Sequence, residues 1–281
     1  MYPREFDYVA VGSIDEAVSA LASNPGAKVM SGGMSLIPMM KLRLLSPETV
    51  VDIGRVPGLD QIEDKSDHVS IGALVRHAAV AASPVIAQHA QALAQAASWT
   101  GDSQVRTRGT LAGAVAHADL AADSPAAVLA LGATMVAQGP GGPREIAAGD
   151  FFVDTLTSAL SPDEILIEVR IPKKGGASAY DKLGRRGGHS DYAVAGAAAW
   201  VAMDGGTVSD CAVALTGVGT KPQLALGVME ALTGSGADAV AAAAERATEG
   251  LTVLEDLYGS EEYKAHLAKV YVRRALEQAI A

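Results

Sequence analysis

The residues in this chain that could carry chemistry lie mainly in two loops of small residues. The first loop is Ser31-Gly32-Gly33-Met34-Ser35, between a strand-like run and the mostly apolar segment 36–45. Consecutive glycines let backbone N–H groups converge on an anion, and a helix starting after them would add the positive end of its dipole. Ser35 could add a hydroxyl donor. The alternative for such a loop is an ordinary strand-to-helix turn.

The second loop is Gly109-Thr110-Leu111-Ala112-Gly113-Ala114. Thr110 could cap a helix or donate a hydrogen bond to a phosphate, and the small residues after it permit close approach of a flat ligand. The alternative is a tight packing point between helices, which alanine-rich sequence favours. Two backbone cradles in one chain fit a pyrophosphate-bearing cofactor better than a free anion.

Composition excludes several other classes of function. The net charge is −10, from 22 basic and 32 acidic residues, so an acidic surface argues against a nucleic acid partner. Cys211 is the single cysteine, which excludes an internal disulfide and an iron–sulfur cluster held by this chain alone. The six histidines are not spaced as metal ligands, so we expect no metal site. A cytoplasmic protein with no transmembrane segment is expected.

The elements that position the two loops can be read from hydrophobic periodicity. Ser13 and Glu16 form the capping-box pattern of a helix over 13–23. Further elements are predicted as strands over 28–30, 49–53, 68–73, 133–137, 144–148, 165–171, 192–203 and 207–216, and as helices over 87–100, 236–248 and 261–280. The fold class is therefore α+β. Composition shifts divide the chain into three parts, 1–54, 55–175 and 176–281.

Four longer segments carry a resemblance to a known family. They are Ser31-Gly32-Gly33-Met34-Ser35-Leu36-Ile37-Pro38-Met39-Met40-Lys41-Leu42-Arg43-Leu44, the run 104–113 from Gln104-Val105-Arg106 to Gly113, the run 116–126, and the run 160–172. In this order they resemble the FAD-binding medium subunits of molybdenum hydroxylases, the xanthine dehydrogenase and aerobic carbon monoxide dehydrogenase family. The carbon monoxide dehydrogenase type is the most similar. The resemblance covers essentially the whole chain, including residues 180–195.

The resemblance implies FAD as the cofactor and a two-part FAD-binding domain like that of vanillyl-alcohol oxidase. Residues 1–54 and 55–175 would be its two subdomains, and residues 176–281 a smaller α+β domain that closes one side. The residues implied to contact FAD are Ser31, Gly32, Gly33, Met34, Ser35 and Leu36 in the first loop, Thr110, Leu111, Ala112, Gly113 and Ala114 in the second, and Asp123, Leu166, Lys182 and Tyr192 beyond them.

The four residues beyond the loops each have an alternative interpretation. Asp123 matches an acid at the sugar or ribityl region of the cofactor, or is a helix N-cap before Pro125. Lys182 matches a lysine near the cofactor, or is a solvated strand lysine. Tyr192 matches a tyrosine against the isoalloxazine ring, or is a core tyrosine. Leu166 matches an apolar contact, or packs in the core as a strand residue.

The sequence also departs from the family pattern at the loops. Met34 stands where histidine or glutamine is frequent, Leu111-Ala112 replaces the more usual Ile-Gly, and Ala114 replaces a common asparagine. These changes alter the side chains of the family pattern but keep small residues and backbone donors at the point of closest approach.

The family resemblance implies an electron-transfer subunit with no catalytic side chain of its own. A large partner would carry molybdopterin and a small partner two [2Fe-2S] clusters, in a dimer of heterotrimers. FAD would pass electrons to a quinone, NAD or oxygen, and the complex could lie at the inner face of the membrane. Arg43, Arg106 and Arg108 are candidates for partner docking, or are ordinary surface arginines. The alternatives are a self-contained FAD-dependent oxidase or reductase, and a cofactor-free assembly module.

Overall fold

The computed structural model of the chain describes residues 1–186 and 191–281. Its strands are β1 (Asp7–Ala10), β2 (Lys28–Met30), β3 (Thr49–Asp52), β4 (Ile62–Asp64), β5 (His68–Gly72), β6 (Thr134–Gly139), β7 (Gly142–Ala147), β8 (Phe152–Asp154), β9 (Thr157–Ser158), β10 (Ile165–Pro172), β11 (Ala177–Gly184), β12 (Ala193–Asp204), β13 (Thr207–Thr216) and β14 (Gln223–Leu224). Its α-helices are α1 (Ile14–Ser23), α2 (Leu36–Lys41), α3 (His77–Ala82), α4 (Pro84–His89), α5 (Gln91–Trp99), α6 (Ser103–Arg106), α7 (Leu111–His117), α8 (Asp123–Ala130), α9 (Ala148–Phe151), α10 (Leu226–Leu232), α11 (Val240–Ala244) and α12 (Glu261–Ile280). The predicted mixture of helices and strands is confirmed.

Three sheets organise these elements. A parallel sheet has the order β1-β3-β2, and an antiparallel sheet has the order β4-β5-β10-β6-β7. The third, also antiparallel, has the order β11-β12-β13-β14. The β8–β9 pair is a short two-stranded ribbon.

The third sheet is covered on both faces. Its alternate residues divide between two hydrophobic cores, since successive strand side chains point to opposite faces. Ala198 and Trp200 of β12 belong to a core built mainly from residues before position 172, whereas Ala197 and Ala199 belong to a second core with α10, α11 and α12. The strand β11 runs along α5 on one side and α12 on the other. The C-terminal sheet is thereby packed against the part of the chain that carries both small-residue loops.

Side-chain caps explain the starts of several helices, and two predicted helices need correction. The Ser13 hydroxyl accepts from the Glu16 N–H at 3.1 Å, as the capping box predicts, while the Glu16 carboxylate accepts from Gly12. The single helix predicted over 87–100 is wrong, because the chain leaves helical geometry at Ala90 between α4 and α5. The break lets α5 pack against β11. The predicted helix over 236–248 is a 3-10 turn followed by the five-residue α11.

Candidate functional site

The two small-residue loops lie in direct contact. The Ser31 and Thr110 hydroxyls are 2.9 Å apart and share a hydrogen bond. A Cβ atom on Gly32 would come within 2.3 Å of the Arg108 carbonyl oxygen, and one on Gly113 within 2.9 Å of the Ser31 hydroxyl. Glycine is therefore required at both positions for this close approach. The sequence pattern placed two separate cradles, and the fold combines them into one.

A cavity of about 650 Å³ opens beside this contact. That volume lies in the range of small-molecule and cofactor pockets. Of the predicted site residues, those that line the cavity are Ser31, Gly32, Gly33, Met34, Ser35, Leu36, Thr110, Ala112, Gly113, Ala114, Asp123, Leu166 and Tyr192. Leu111 and Lys182 do not line it. Leu111 is fully buried in the first hydrophobic core, and Lys182 is 2% exposed with its ammonium bonded within the protein.

The first loop lines the cavity and has free backbone donors. Gly33 has a φ of +72°, which turns the chain sharply before α2. Within the described part of the chain, the N–H groups of Gly32, Gly33, Met34 and Ser35 have no hydrogen-bond acceptor. Buried or half-buried backbone donors are normally satisfied, so four successive free donors are typical of an anion-binding nest.

The second loop uses its side chain to cap a helix. The Thr110 hydroxyl accepts from the Gly113 N–H at 3.1 Å, and the Leu111 N–H donates to the Val75 carbonyl oxygen. Thr110 is thus the N-cap of α7, as predicted, and also the partner of Ser31. Small residues at Ala112 and Gly113 leave the cavity wall flat beside this cap.

Asp123 lies at the floor of the cavity inside a polar cluster. It is the first residue of α8, whose N-cap is Ala122, so the N-cap interpretation is wrong. Its carboxylate accepts from the Tyr180 hydroxyl at 2.5 Å and from the Lys182 ammonium at 2.8 Å. Burial raises the pKa of Asp123 to about 6, while Lys182 and Tyr180 oppose that rise. The interpretation of Lys182 as a solvated lysine is likewise wrong.

Tyr192 stands at the opening of the cavity and is 40% exposed, so it is not a core tyrosine. Burial of its phenol raises its pKa, and a hydrogen bond with Ser35 of the first loop lowers it in part. The Arg185 guanidinium lies 5.3 Å from the Tyr192 ring and 4.5 Å from the Tyr258 ring. These cation–π contacts fix the orientation of one face of Tyr192 and leave the ring beside the cavity.

Among the cavity residues that were not predicted from the sequence, two carry buried polar atoms without a partner. His77 and Ser124 are 3% and 1% exposed, and the His77 Nδ1 and Ser124 Oγ atoms have no hydrogen-bond partner among the described residues. Burial lowers the pKa of His77 to about 4, so the ring is neutral at neutral pH. A lone histidine before an alanine-rich helix gave no signal, whereas Ser124 follows Asp123 directly and could have been included with it.

The three arginines proposed for docking have different surroundings. Arg106 is bonded to the Gly101 carbonyl oxygen at 2.7 Å and so supports its own loop. Arg43 and Arg108 are exposed. Arg43 has a φ of +61°, an uncommon conformation for a residue other than glycine.

Residues 1–186 and 191–281 contain neither a cluster of metal ligands nor a membrane-spanning helix. No group of three or more potential metal ligands is present among them. None of the helices in this part of the chain has the length and apolarity needed to cross a membrane.

The fold and the cavity match two family models in succession. Residues 4–174 match the FAD binding domain in molybdopterin dehydrogenase, and residues 178–279 match the CO dehydrogenase flavoprotein C-terminal domain. The chain therefore belongs to the flavoprotein subunits of the molybdopterin dehydrogenases, and the family resemblance is confirmed.

Particular relatives place the chain more closely among oxidoreductase subunits. It is 39% identical to the carbon monoxide dehydrogenase medium chain of Hydrogenophaga pseudoflava, over 100% of this chain and 99% of that one. It is 38% identical to the 6-hydroxypseudooxynicotine dehydrogenase complex subunit alpha of Paenarthrobacter nicotinovorans, over 100% and 96%. The structure of quinoline 2-oxidoreductase from Pseudomonas putida 86 superposes with a TM-score of 0.93 at 34% identity, covering 100% of this chain and 98% of that one.

The residues around the cavity fit the cofactor that this family binds. The glycine cradle offers free backbone donors for a pyrophosphate, and the cavity is large enough for an extended dinucleotide. The unpartnered atoms of His77 and Ser124 fit a ligand with polar groups along its length. Asp123 is an acceptor for hydroxyl groups, and Tyr192 offers an aromatic face.

Proposed function

We propose that this chain passes electrons from iron–sulfur clusters of a partner subunit, through FAD, to an external acceptor. The cavity between the two glycine loops carries this proposal, because it combines a pyrophosphate cradle with an aromatic residue at its opening. When bound, FAD would supply the redox chemistry between the iron–sulfur clusters and the external acceptor, which is a quinone, NAD or oxygen.

The chain's own residues bind and orient the cofactor in this proposal. The N–H groups of the first loop hold the pyrophosphate, and the loop 110–114 lies against the ribityl chain. Asp123 accepts from sugar or ribityl hydroxyls, and Leu166 gives an apolar contact. Tyr192 lies against the isoalloxazine ring. No side chain is required to act as a general acid, base or nucleophile.

Partner subunits are inferred from the family to which the chain belongs. We infer a small subunit with two [2Fe-2S] clusters and a large subunit with molybdopterin, assembled as a dimer of heterotrimers in the cytoplasm. The single cysteine, the buried Cys211, agrees with this division, because one thiol cannot hold an iron–sulfur cluster. A complex of the carbon monoxide dehydrogenase type is proposed from the relatives. The division of this chain at 1–54, 55–175 and 176–281 stays a proposal made from the sequence.

The experiment is native purification through a tag on this chain, followed by absorption spectroscopy of the complex and of its heat-released supernatant. FAD in the supernatant together with iron–sulfur absorbance in the complex supports the electron-transfer subunit. FAD without any iron–sulfur signal would instead identify a self-contained flavoenzyme. A colourless preparation would exclude both flavoproteins and favour a cofactor-free assembly module.

The pyrophosphate position is tested by Gly33→Asp, with Gly33→Asn as its matched control. Both side chains meet the same backbone conformation and the same neighbours, Ile37 and Met30, within 3.4 Å of the new Cβ. Asparagine and aspartate both tolerate this left-handed conformation, so the two variants differ mainly in charge. We expect the aspartate variant to lose FAD and the asparagine variant to retain more of it than the aspartate variant does. The measurement is the amount of bound flavin per chain. Equal retention would place the pyrophosphate elsewhere.

A further inference from the structure

One wall of the cavity depends on a strand of the C-terminal sheet that does not itself line it. The alternation of β11 places Ser178, Tyr180 and Lys182 on the face toward α5 and α8. The Ser178 hydroxyl accepts from the Ala92 N–H at 3.1 Å, and the Tyr180 N–H donates to the Gln95 side chain at 2.7 Å. These two hydrogen bonds hold β11 against α5. The side chains of Tyr180 and Lys182, on the same face of β11, then contact Asp123.

The Lys182 ammonium has no donor left for a ligand. It is 2% exposed and bonds to the Asp123 carboxylate, to the Trp99 carbonyl oxygen at 3.2 Å and to the Asp191 carbonyl oxygen. An ammonium group has three N–H donors, so these three acceptors use all of them. Lys182 is thus saturated by the protein, although it lies near the cavity.

Two of those acceptors lead directly to cavity residues. Asp123 lines the cavity, and Asp191 immediately precedes Tyr192 at its opening. Tyr180, which is fully buried, donates to the same Asp123 carboxylate at 2.5 Å and packs its ring 5.8 Å from that of Trp99. A carboxylate oxygen can accept more than one hydrogen bond, so Asp123 held in this way can still accept from a ligand hydroxyl.

We propose that Tyr180 and Lys182 are positioning residues, which hold the Asp123 carboxylate and the main chain before Tyr192 in place for the cofactor without contacting it. The inference rests on the proposed function, because Asp123 and Tyr192 are its cofactor contacts. Both positioning residues belong to the C-terminal sheet, whereas Asp123 belongs to α8. The cluster therefore makes the geometry of the FAD site depend on the docking of that sheet.

A double-mutant cycle tests whether Lys182 acts through Asp123. The variants are Lys182→Met, Asp123→Asn and the two together, each in the full chain stripped of FAD, and the measured quantity is the Kd for FAD from fluorescence quenching. Each single change should weaken FAD binding by at least about tenfold, since each breaks hydrogen bonds of a buried charged group. The loss in the double variant should fall well short of the product of the two single losses, because the part of the Lys182 effect that acts through Asp123 is already lost in Asp123→Asn. Losses that multiply in full would show that Lys182 does not act through Asp123, which would overturn the proposal.

Lys264→Met is the matched control for a general loss of stability. Lys264 is also 2% exposed and also bonds to a carboxylate, that of Asp256 at 2.7 Å, but it does not line or flank the cavity. We expect the Lys264 variant to lose thermal stability and keep the wild-type Kd for FAD. Equal weakening of FAD binding in the Lys182 and Lys264 variants would contradict the proposal.

Tyr180→Phe keeps the test informative where Lys182→Met fails to fold. It removes one hydroxyl from the cluster and retains the ring packed on Trp99. We expect altered visible circular dichroism of the bound flavin and a weaker Kd, while the far-ultraviolet spectrum stays that of the wild type. An unchanged flavin signal and Kd would overturn the role of Tyr180. Failure of the wild-type chain itself to bind FAD would instead refute the proposed function.

Discussion

His77 is a buried group whose charge state is set by its surroundings. Burial lowers its pKa to about 4, with the positive charge of Arg106 acting in the same direction. The ring is therefore neutral in the folded protein where an exposed histidine would bind a proton. Burying a neutral ring against Gly109 costs little, whereas protonating it there costs much more.

His77 should make the chain less stable in acid. Because its pKa in the folded state lies below the unfolded value of 6.5, its contribution is full above pH 6.5 and is lost as the pH falls toward 4. The loss over that window is about 3 kcal/mol. His77→Gln should remove this dependence, measured by urea unfolding at both ends of the window.

Asp123 titrates in the same window with the opposite sign, so the comparison must be made between variants. Its folded pKa of about 6 lies above the ordinary 3.8, and its contribution to stability is therefore lost as the pH rises through that value. The pH dependence of the wild-type free energy of unfolding contains the contributions of both His77 and Asp123. A difference between wild type and His77→Gln that does not change with pH would refute the assignment to His77.

Local sequence patterns identified the cavity residues whose role is decided within a few positions. Asp123, Leu166, Lys182 and Tyr192 were expected only from the family resemblance, and Tyr180 was not expected at all. The glycines and Thr110 were predictable because backbone conformation and capping are decided within a few residues. The Tyr180 contact with Asp123 spans 57 positions, and no local pattern indicates it. The alternation of Tyr180 with Lys182 could have shown only that they share a face of β11.

Among the elements, the end of α2 breaks two local rules at once. The Leu44 N–H bonds to the Met39 carbonyl oxygen and the Arg43 N–H to that of Met40, which is the Schellman pattern. The left-handed position of this motif is usually glycine, but here it is Arg43. The apolar residue after it, Leu44, is 72% exposed instead of packed on the helix. Such exceptions are commonly kept at functional surfaces.

Arg43→Gly should therefore stabilise the isolated chain. Glycine relieves the left-handed strain, and part of that gain is offset by its larger entropy in the unfolded state, which leaves about 0.5–1 kcal/mol. Urea unfolding of the wild type, Arg43→Gly and Arg43→Ala checks this, because alanine removes the side chain but keeps the strain. A glycine variant no more stable than the alanine variant would contradict the explanation.

Elements were predicted well where a periodic pattern had clear ends. The helix α12 was predicted with its observed bounds from an apolar stripe that continues to Ala279, and in the structure the Ser260 hydroxyl caps its first turn. The alanine-rich stretch before Thr100 has no such punctuation. Its helix is broken at Ala90, and beyond the break α5 packs on β11, where the Ser178 hydroxyl accepts from the Ala92 N–H. Tertiary contacts overrode a uniform helix propensity there.

At the scale of the whole molecule, the third sheet lies between two hydrophobic cores and links them. This arrangement favours cooperative unfolding of the whole chain. Tyr180, Ala198, Trp200 and Ala214 complete the core of the first 171 residues, so the family boundary near residue 175 does not divide the hydrophobic interior. Removing the C-terminal sheet would expose that core. It would also leave the buried Asp123 carboxylate without its Lys182 partner.

The intact chain should consequently unfold in one cooperative transition. FAD should therefore raise the free energy of unfolding of both parts of the chain by the same amount. Trp99 and Trp200 are the two tryptophans and lie on the two sides of the boundary. Variants with a single tryptophan, Trp99→Phe and Trp200→Phe, report each side separately by fluorescence during urea unfolding. We expect coincident midpoints, and an equal increase of about 2.7 kcal/mol for both probes at a free FAD concentration one hundred times its Kd. If the Trp200 signal melted first and FAD moved only the Trp99 signal, the two parts would be independent and the cofactor site would belong to the first part alone.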